Sequence, residues 1–414
     1  MQRYSLLNLA WQAARGNTRW ATAWRAPSLQ RSYDVVVIGG GGHGLATAYF
    51  LAKKHGVRRV VLLERGHIGQ GNSGRNTQVT RSNYFYPVSS SFFDHSLKLY
   101  EGLSRELNFN VMLRQGGQIN LAHSLHDLEI IRRWANAIRM NGVDAEVLSE
   151  TEIRRLVPIL NTRARFPILG GLIQRRAGIS RHDAVVWGFA RGASALGVDI
   201  IQGCEVTGFR QFGDRVTGVE TSQGVINCDR VCMSVSNQCS VLAGWAGFTL
   251  PITTTTLQAM VTEPIKPVLD VVVISAAVHA YVSQSDRGEI VIGGSADVYS
   301  SYRQRGSLAI TRDVLAAVLE LFPSFSRLKL MRQWGGAVDI TPDTSPIMGL
   351  TPIRNLYINC GWGTGGYKAI PAGGDTMAQT VVEDKPHPLI RAYDLARFER
   401  GALIDEGAAS GVAH

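Results

Sequence analysis

Apolar and polar residues near the start of the chain follow the pattern of a βαβ unit. Residues 33–38 form a short apolar run that ends at a glycine, as in a buried parallel strand. Residues 44–54 are rich in helix formers, and Gly56 provides a natural helix end. A second apolar run, residues 59–63, stops at the acidic residue Glu64. Strand, glycine turn, helix, strand and acid together predict a complete βαβ unit.

The rest of the chain alternates between helical and strand patterns. Further helices are predicted over 91–107, 125–141, 183–197, 308–322 and 372–382. Strands are predicted over 198–210, 215–221, 225–235, 251–267, 271–292 and 356–360. Asp183 is the expected N-cap of the helix that it opens. The segment 69–83 is rich in glycine and polar residues and is expected to be an ordered loop.

Length and composition are those of a globular protein with more than one core. The chain has 414 residues, which is more than one hydrophobic core usually serves, so two domains are expected. Apolar residues make up 45% and charged residues 18%, which excludes a disordered chain. No apolar run is long enough to span a bilayer, so no membrane association is expected.

The net charge of +10 favours an anionic ligand or an acidic partner. The alternative is a solvated surface with a basic excess. A nucleic acid partner is not expected, because the sequence has no run of Lys and Arg and no basic stripe with interleaved aromatic residues.

Residues 1–32 are basic and contain no acidic residue. They carry arginines and tryptophans at Arg3, Trp11, Arg15, Arg19, Trp20, Trp24, Arg25 and Arg31. The apolar core of a secretory signal is missing, although a transit peptide has a similar composition. Because tryptophan and arginine are favoured at interfaces, we expect residues 1–32 to form a basic arm that contacts partner subunits.

The cysteines are Cys204, Cys228, Cys232, Cys239 and Cys360. Their odd number and the lack of a CxxC pair argue against a disulfide framework and against a zinc site. We therefore expect buried free thiols in a reducing compartment, and the predicted location is the cytoplasm. No cluster of metal ligands stands out, so no metal is expected.

The turn after the first strand contains Gly39, Gly41 and Gly44 in the spacing GxGxxG. These glycines permit a tight turn, the close approach of a pyrophosphate and close packing of helix against strand. The helix N-terminus adds free N–H groups and the positive end of its dipole. Glu64 follows where an acid binds the ribose hydroxyls, which argues against the 2′-phosphate of NADP. FAD and NAD both remain compatible with this unit.

A second glycine cluster distinguishes FAD from NAD. The sequence NCGWGTGG at residues 359–366 lies where a strand meets a helix. Backbone N–H groups in such a turn are available to a group bound at the end of the strand. NAD-dependent Rossmann enzymes need no second loop so far along the chain, whereas the longer FAD commonly uses one near its isoalloxazine ring. The sequence therefore predicts that the protein binds FAD.

The predicted fold is α/β, with a Rossmann-like FAD-binding domain interleaved with an α+β substrate domain built on an antiparallel sheet. The FAD-binding domain is expected to be discontinuous, over 33–110, 160–250 and 335–414. The substrate and catalytic domain is expected over 111–159 and 251–334. No linker or repeat separates the chain into two independent halves.

Several long and unusual segments narrow the assignment further. They are GGGGHGLATAY, RSNY, RHDAVVWGFARGA, HAYVSQSD, RQWGG and NCGWGTGGYK. In these segments the chain resembles the β subunits of heterotetrameric sarcosine oxidases, within the flavoproteins that are similar to D-amino-acid oxidase. The resemblance runs from residues 1–4 to residues 401–406 and therefore covers nearly the whole chain.

The resemblance implies two flavins. FAD is expected to bind noncovalently, and FMN is expected to be attached covalently to His182, at the interface with the large subunit. Without the resemblance, His182 would be a lone histidine before a helix, for which a structural role is the ordinary expectation. The expected cofactor-binding residues are Gly39, Gly41, Gly42, His43, Gly44, Glu64, Arg65, Asn72, Arg75, Asn76, His182, Val206, Gly361, Gly363, Thr364, Gly365, Gly366 and Lys368.

Two cations are expected to hold a substrate carboxylate. By the resemblance, Arg81 matches an arginine that lies near the flavin face in relatives, and Lys368 matches a lysine of their active site. The alternative for each is a surface salt bridge. We expect Arg81 and Lys368 to be the catalytic residues.

Three positions differ from the monomeric sarcosine oxidases. Gly74 and Gln78 stand where the monomeric enzymes carry a histidine and an additional arginine, and Gly336 stands where they bind FAD through a cysteine. FAD cannot be held by that cysteine here, which agrees with noncovalent binding. These differences also leave fewer candidates for substrate contacts.

The resemblance implies oxidative demethylation of sarcosine (N-methylglycine) at FAD. Electrons would pass to FMN and then to oxygen, giving hydrogen peroxide, and the one-carbon unit would reach tetrahydrofolate or leave as formaldehyde, with glycine as the other product. The implied partners are an α subunit that binds folate and NAD, a γ subunit and a δ subunit. Two alternatives remain: a flavin-dependent dehydrogenase of an opine, proline or dimethylglycine, and a noncatalytic flavin-binding assembly subunit.

Overall fold

Two mixed β-sheets with helices packed on them make up the fold. The computed structural model describes residues 5–18 and 22–404. The helices are α1 (Leu6–Ala14), α2 (Gly42–His55), α3 (Pro87–Glu106), α4 (Leu125–Met140), α5 (Glu150–Leu156), α6 (His182–Ala195), α7 (Cys239–Ala246), α8 (Leu308–Leu321) and α9 (Ile370–Glu383).

The strands lie between these helices along the chain, singly or in consecutive runs. They are β1 (Ser32–Ile38), β2 (Val60–Glu64), β3 (Val79–Thr80), β4 (Gln118–Ala122), β5 (Glu146–Ser149), β6 (Gly170–Gln174), β7 (Gly178–Ile179), β8 (Asp199–Gln202), β9 (Val206–Phe212), β10 (Arg215–Thr221), β11 (Gly224–Met233), β12 (Thr253–Pro264), β13 (Val272–Ser275), β14 (Ala280–Gln284), β15 (Glu289–Ser300), β16 (Leu330–Ile340), β17 (Ile347–Leu350) and β18 (Leu356–Cys360).

The first sheet has the parallel centre that the βαβ pattern predicts. Strands β18, β11, β1, β2 and β8 lie side by side in this order and run parallel, and β17 joins the β18 edge antiparallel. Val35, Val36 and Val37 of β1 are all buried, since helices or further strands cover both faces of the sheet. The Rossmann-like arrangement is confirmed.

Residues 198–210 form two strands, which corrects the prediction of a single one. Strand β8 pairs with β2 in the parallel sheet, whereas β9 pairs with β10 in an antiparallel hairpin that continues into β11. The break falls at Gly203, whose φ of +67° turns the chain out of the extended conformation. Apolar pattern alone did not reveal this change of partner.

The second sheet is mainly antiparallel and has the order β16, β12, β15, β14, β13, β4, β6, β5. Only β13 and β4 pair in parallel. Strand β6 lies within 160–250, which the sequence assigned to the FAD-binding domain, but it pairs with β4 and β5 of this sheet. Strand β16 also begins before residue 335. Sheet membership therefore differs from the predicted boundaries at these two strands, because pairing partners come from distant parts of the chain.

Helix α2 packs against α6 and α9 over the first sheet. It ends as predicted at Gly56, which adopts a left-handed φ of +65° and donates its N–H to the Leu51 carbonyl. The N-cap predicted for α6 is wrong, since Arg181 occupies that position. Asp183 lies in the first turn instead, where its carboxylate accepts the Ala184 N–H at 2.8 Å and faces the positive end of the helix dipole.

The segment before β1 is partly attached to its own chain. Arg25 forms an ion pair with Asp199 at 3.1 Å and donates to the Val198 carbonyl. Helix α1, in contrast, buries none of its residues, and both Leu6 and Leu7 are 81% exposed. Of the arm residues named above, Arg3, Arg19 and Trp20 lie outside the described residues, as do the resemblance segments 1–4 and 405–406.

The segment after α9 is fixed to the first sheet by a buried ion pair. Two guanidinium nitrogens of Arg397 donate hydrogen bonds to the Asp343 carboxylate, at 2.8 and 2.9 Å. Both side chains are fully buried. Arg397 also donates to the carbonyls of Tyr393 and Ser345. The part of this segment around Arg397 is therefore anchored in the core.

Two further expectations concern composition. All five cysteines are buried and free, which confirms the expectation of buried thiols. Among residues 5–18 and 22–404, no helix has both the length and the apolar character that a bilayer crossing requires.

Candidate active site

A cavity of about 350 Å³ opens between the carboxyl ends of β1, β2 and β11 and the inner face of the second sheet. Its walls come from both sheets, from the segment 70–81 and from the glycine-rich segment 359–370. Ligands of open α/β sheets bind at this position, beyond the carboxyl ends of parallel strands. The cavity is therefore the candidate site.

The first glycine turn closes one wall of the cavity. Gly39 adopts a left-handed φ of +109°, and a side chain there would overlap the Ser234 carbonyl. A Cβ at Gly44 would overlap the carbonyl oxygen of Gly39, so the absence of a side chain allows α2 to pack against the end of β1. Gly39 and Gly41 line the cavity, whereas Gly44 does not. The turn leaves the space that a pyrophosphate needs.

Glu64 lies at the end of β2 and faces the cavity. Its carboxylate accepts the Gly40 N–H at 2.7 Å and the Gly66 N–H at 2.9 Å. Each oxygen keeps a further lone pair that can accept a ribose hydroxyl. The residues of this wall thus fit the adenosine diphosphate part of a dinucleotide.

The loop after β2 is ordered, as the sequence predicted, and it forms a second wall. Asn72 donates to the Ser236 hydroxyl at 2.8 Å, and Asn76 donates to the Ser73 carbonyl at 2.6 Å. Arg75 also lines the cavity, and burial lowers its pKa. These hydrogen bonds hold the polar side chains of the loop in place before any ligand binds.

His43 joins the first glycine turn to the second glycine loop. Its ring stacks on Trp362 with centroids 4.5 Å apart, and its Nε2 lies 2.8 Å from the Gly366 carbonyl oxygen. Because a carbonyl can only accept, Nε2 carries the hydrogen of this bond. Burial lowers the pKa of His43 to about 4, so the ring is neutral at pH 7.

The second glycine loop turns sharply at the end of β18. Gly361 has a left-handed φ of +68°, and the Gly363 N–H donates to the Asp339 carbonyl at 2.9 Å. The Gly365 N–H donates to the Trp362 carbonyl, and Gly365 lies outside the cavity wall. The loop thus delivers the backbone of Gly361, Gly363 and the residues after Gly365 to the cavity.

Arg81 and Lys368 bring two buried positive charges to the cavity. They are 5% and 7% exposed, and neither forms an ion pair with a carboxylate of residues 5–18 or 22–404. Arg81 donates to Asn83 at 2.7 Å and lies over the Tyr84 ring, while Lys368 donates to the Thr364 carbonyl at 3.0 Å. Burial, and next the charge of Arg81, hold the pKa of Lys368 well below its ordinary value. An anion is the ligand that this pair lacks.

Most of the predicted cofactor and catalytic residues line this one cavity. They are Gly39, Gly41, Gly42, His43, Glu64, Arg65, Asn72, Arg75, Asn76, Arg81, Val206, Gly361, Gly363, Thr364, Gly366 and Lys368. Gly44, Gly365 and His182 lie outside its wall.

His182 is the first residue of α6 and is half-buried. Burial lowers its pKa, and its Nδ1 has no hydrogen-bond partner among the described residues. The neighbouring Arg181 guanidinium forms two hydrogen bonds with Asp183, at 3.1 and 2.7 Å. The His182 imidazole therefore has one ring nitrogen without a hydrogen-bond partner among the described residues. It lies next to Arg181 and Asp183, whose charges pair with each other at the start of α6.

Sequence reasoning missed several residues of the cavity wall. Tyr281 and Thr77 contribute a polar spot, with their hydroxyls 3.1 Å apart, and Asp339 contributes a carboxyl whose pKa burial raises. Trp245 lines the cavity from α7. Only the alternating strand pattern of the segment HAYVSQSD could have pointed to Tyr281 from the sequence. His279 of the same segment is exposed in the β13–β14 turn and does not reach the cavity.

Fold and cavity together define an oxidoreductase that binds FAD, and comparisons with known proteins agree. The model of the family described as FAD dependent oxidoreductase matches residues 34–380. "Sarcosine oxidase subunit beta" of Rhodobacter capsulatus is 48% identical and is covered over 100% of both chains. The protein of the same name from Rhizobium meliloti is 50% identical over 98% of this chain and 97% of its own. The chain therefore belongs to the sarcosine oxidase β subunit family, and it is a flavin-dependent amine oxidase.

Solved structures show the same fold. The L-proline dehydrogenase of P. horikoshii superposes with a TM-score of 0.86 at 26% identity, covering 91% of this chain and 100% of the other. Glycine oxidase from Geobacillus kaustophilus superposes with a TM-score of 0.81 at 21% identity, covering 89% and 99%.

Proposed function

We propose that this protein is the catalytic β subunit of a sarcosine oxidase complex and that its substrate is sarcosine. The observation that carries the proposal is the pair of buried cations, Arg81 and Lys368, which face the FAD cavity without a carboxylate partner among the described residues. The substrate named for the relatives at 48% and 50% identity is an amino acid with one carboxylate and a small N-methyl group.

The two cations would bind the substrate carboxylate. Asn83 fixes the Arg81 guanidinium, and the Thr364 carbonyl fixes the Lys368 ammonium, so little conformational entropy is lost when the carboxylate arrives. Because both cations are buried, their attraction for an anion is screened little by water. Carboxylate binding also favours the charged form of Lys368, whose pKa is lowered in the free protein.

The remaining walls suit a small secondary amine. Leu257 and Ile274 offer apolar surface for an N-methyl group, and the Tyr281 hydroxyl offers a polar contact for the amine. FAD, when bound, supplies the two-electron acceptor for oxidation of the N-methyl carbon. The protein contributes orientation, exclusion of water and the fixed positive charge.

The proposals on FMN, oxygen, the partner subunits and the one-carbon unit follow from the family resemblance. His182 would hold a covalent FMN, which would supply electron transfer to oxygen with hydrogen peroxide as product, and α, γ and δ subunits would complete the assembly in the cytoplasm. The large subunit passes the one-carbon unit to tetrahydrofolate, and formaldehyde leaves when folate is absent. The free Nδ1 of His182, on a neutral and half-buried ring, fits a flavin attachment point.

The deciding experiment is an anaerobic titration of the purified complex with sarcosine while flavin absorbance is recorded. Bleaching by sarcosine at low concentration is expected. The Lys368→Met variant should keep its FAD and lose the response, whereas Lys98→Met, which removes an exposed lysine paired with Asp94, should respond like the wild type. Bleaching by another amine, but not by sarcosine, would overturn the substrate and leave the flavoenzyme class intact.

A second candidate substrate is an imino acid such as proline, because the L-proline dehydrogenase shares the fold with a TM-score of 0.86. The same titration with proline, dimethylglycine and an opine tests it. No bleaching with any amine would favour the noncatalytic assembly role.

For His182, the change to Ala should leave FAD bound and abolish flavin that stays on this chain after acid denaturation. The measurement is flavin absorbance of the denatured, washed chain, with His95→Ala as a control because His95 is another half-buried histidine, bonded to Asp375. Acid-stable flavin on the His182→Ala chain would contradict the proposed attachment point.

A further inference from the structure

One end of the cavity is used neither by the glycine turns nor by the two cations. It lies beyond Glu64 and is lined by Arg65, by the start of β9 at Val206 and by one face of α7. This face consists of Val241, Leu242 and Trp245 of α7 together with the N-cap residue Gln238, and these positions follow helical spacing. The helix therefore presents a continuous side to this end of the cavity.

Helix α7 is held at both ends. At its start, the Asp339 carboxylate accepts the Asn237 N–H at 2.7 Å. At its end, Gln211 of β9 donates to the Ala246 carbonyl at 3.1 Å. Between these contacts, Leu242 is buried in the same core cluster as Val206. The cavity face of α7 is thus fixed in position before a ligand arrives.

Trp245 stands out on this face because its large apolar ring is 48% exposed although it borders the cavity. Val241, one turn earlier, is also exposed at 37%. An indole face is a favourable surface for stacking a purine or another flat base.

The order of the subsites along the cavity identifies the base. A pyrophosphate at the glycine turn and a ribose at Glu64 place the base of the dinucleotide beyond Glu64, on the side away from Lys368. We propose that the α7 face is the adenine subsite and that the Trp245 ring stacks on the adenine of FAD, covering it from solvent. The inference rests on FAD binding and is independent of the amine substrate.

Variants of Trp245 test the stacking. In the full complex depleted of FAD and titrated with FAD, Trp245→Ala should raise the dissociation constant roughly tenfold or more, in the range measured for the loss of one base–aromatic stack. Trp245→Phe should recover most of the affinity, because a phenyl ring also stacks. Trp187→Ala is the matched control, since Trp187 is 44% exposed on α6 but does not line the cavity.

Equal FAD affinity of Trp245→Ala and Trp187→Ala would overturn the proposal, and so would equal weakening by Ala and Phe at position 245. Failure of sarcosine to bleach the flavin would concern the proposed substrate alone, because FAD affinity is measured directly.

A measurement on the wild-type complex avoids any folding defect of a variant. Hydroxyl-radical oxidation of Trp245, read by mass spectrometry, should fall severalfold when FAD or ADP is added to the FAD-depleted complex. Oxidation of Trp187 should not change with either ligand. Unchanged oxidation of Trp245 in the presence of saturating FAD would overturn the adenine subsite.

Discussion

At the scale of single residues, Lys368 links the stability of the protein to its binding site. Its pKa is lowered by burial and by Arg81, so the unfolded chain binds this proton more tightly than the folded chain does. Stability of the substrate-free protein therefore rises with pH across the window between the lowered folded pKa and about 10.4, the ordinary value for lysine. A buried cation kept for function reduces stability at neutral pH.

Lys368→Met should thus stabilise the substrate-free protein at pH 7, by about 1 kcal/mol in the free energy of unfolding. It should also make the rise of stability with pH shallower than in the wild type. Denaturant unfolding between pH 7 and pH 10 measures both effects, with Lys98→Met as the exposed control. A variant that is less stable than the wild type at pH 7 would contradict this account of Lys368.

Sequence reasoning identified the site residues that belong to glycine motifs or to the segments shared with the family. Arg81 and Lys368, the predicted catalytic residues, line the same cavity, although they are 287 positions apart (368 − 81). Trp245, Asp339 and Tyr281 were missed because each comes from an ordinary helix or strand. Only the packing of α7 and the register of the second sheet turn them towards the cavity.

At the scale of secondary structure elements, the close contact of α2 with β1 depends on Gly44. A side chain at Gly44 would overlap the Gly39 carbonyl. The turn that contains Gly39 lines the cavity on one side and contacts the end of β11 on the other. Backbone atoms on this side cannot move away without disturbing the turn.

Gly44→Ala should therefore lower the free energy of unfolding by about 1–3 kcal/mol, as overpacking does, and weaken FAD retention. Gly102→Ala in α3 is the matched control, because no atom lies within 4 Å of the Cβ position there. That change should raise stability by about 0.5–1 kcal/mol through helix propensity. Urea unfolding distinguishes the two, and equal effects would show that the α2–β1 contact is not tight.

The buried pair of Arg397 and Asp343 fixes the segment after α9. Burial alone raises the pKa of Asp343, but the hydrogen bonds and charge of Arg397 outweigh it and hold this pKa below its ordinary value. The stabilisation is present above about pH 4, the ordinary Asp value, and is lost as pH falls through the lowered folded pKa.

Arg397→Ala should cost about 3–5 kcal/mol, because it leaves a buried carboxylate without its partner. Arg400→Ala removes an exposed pair with Asp394 and should cost less than about 1 kcal/mol. Equilibrium unfolding at pH 7 gives both values. A loss for Arg397→Ala as small as that for Arg400→Ala would mean that the buried pair contributes little.

The types of the elements with the strongest patterns were predictable, while their pairing partners were not. Helix α2 and strands β1, β2 and β18 follow directly from apolar runs bounded by glycine, and they are found within a few residues of the predicted bounds. The split of residues 198–210 and the place of β6 in the second sheet escaped prediction. Periodicity reports which face of a segment is buried, but not which strand pairs with it.

At the scale of the whole molecule, the net charge of +10 and the exposed helix α1 suggest surfaces made for association. Leu6, Leu7 and Trp11 of α1 are 81%, 81% and 55% exposed. These side chains add nothing to the core of this chain, so their apolar surface is available to a partner subunit.

Replacing Leu6, Leu7 and Trp11 together by Gln should leave the free energy of unfolding within about 0.5 kcal/mol of the wild type. The same variant should lose association with the other subunits, as read by the mass of the purified complex. Leu125→Gln with Met140→Gln, on the exposed ends of α4, is the control and should assemble normally. Full assembly of the α1 variant would disprove the role of this helix in the partner contact.

The contact between His43 and Gly366 joins positions 323 residues apart. During synthesis, the nucleotide-binding unit that ends at Glu64 leaves the ribosome long before the second glycine loop exists. A nascent chain can therefore form its first strands and helix early, but it cannot enclose the flavin until Gly366 has been synthesised. Flavin capture is consequently a late step of biogenesis, and premature termination before residue 366 yields a polypeptide whose second glycine loop is incomplete.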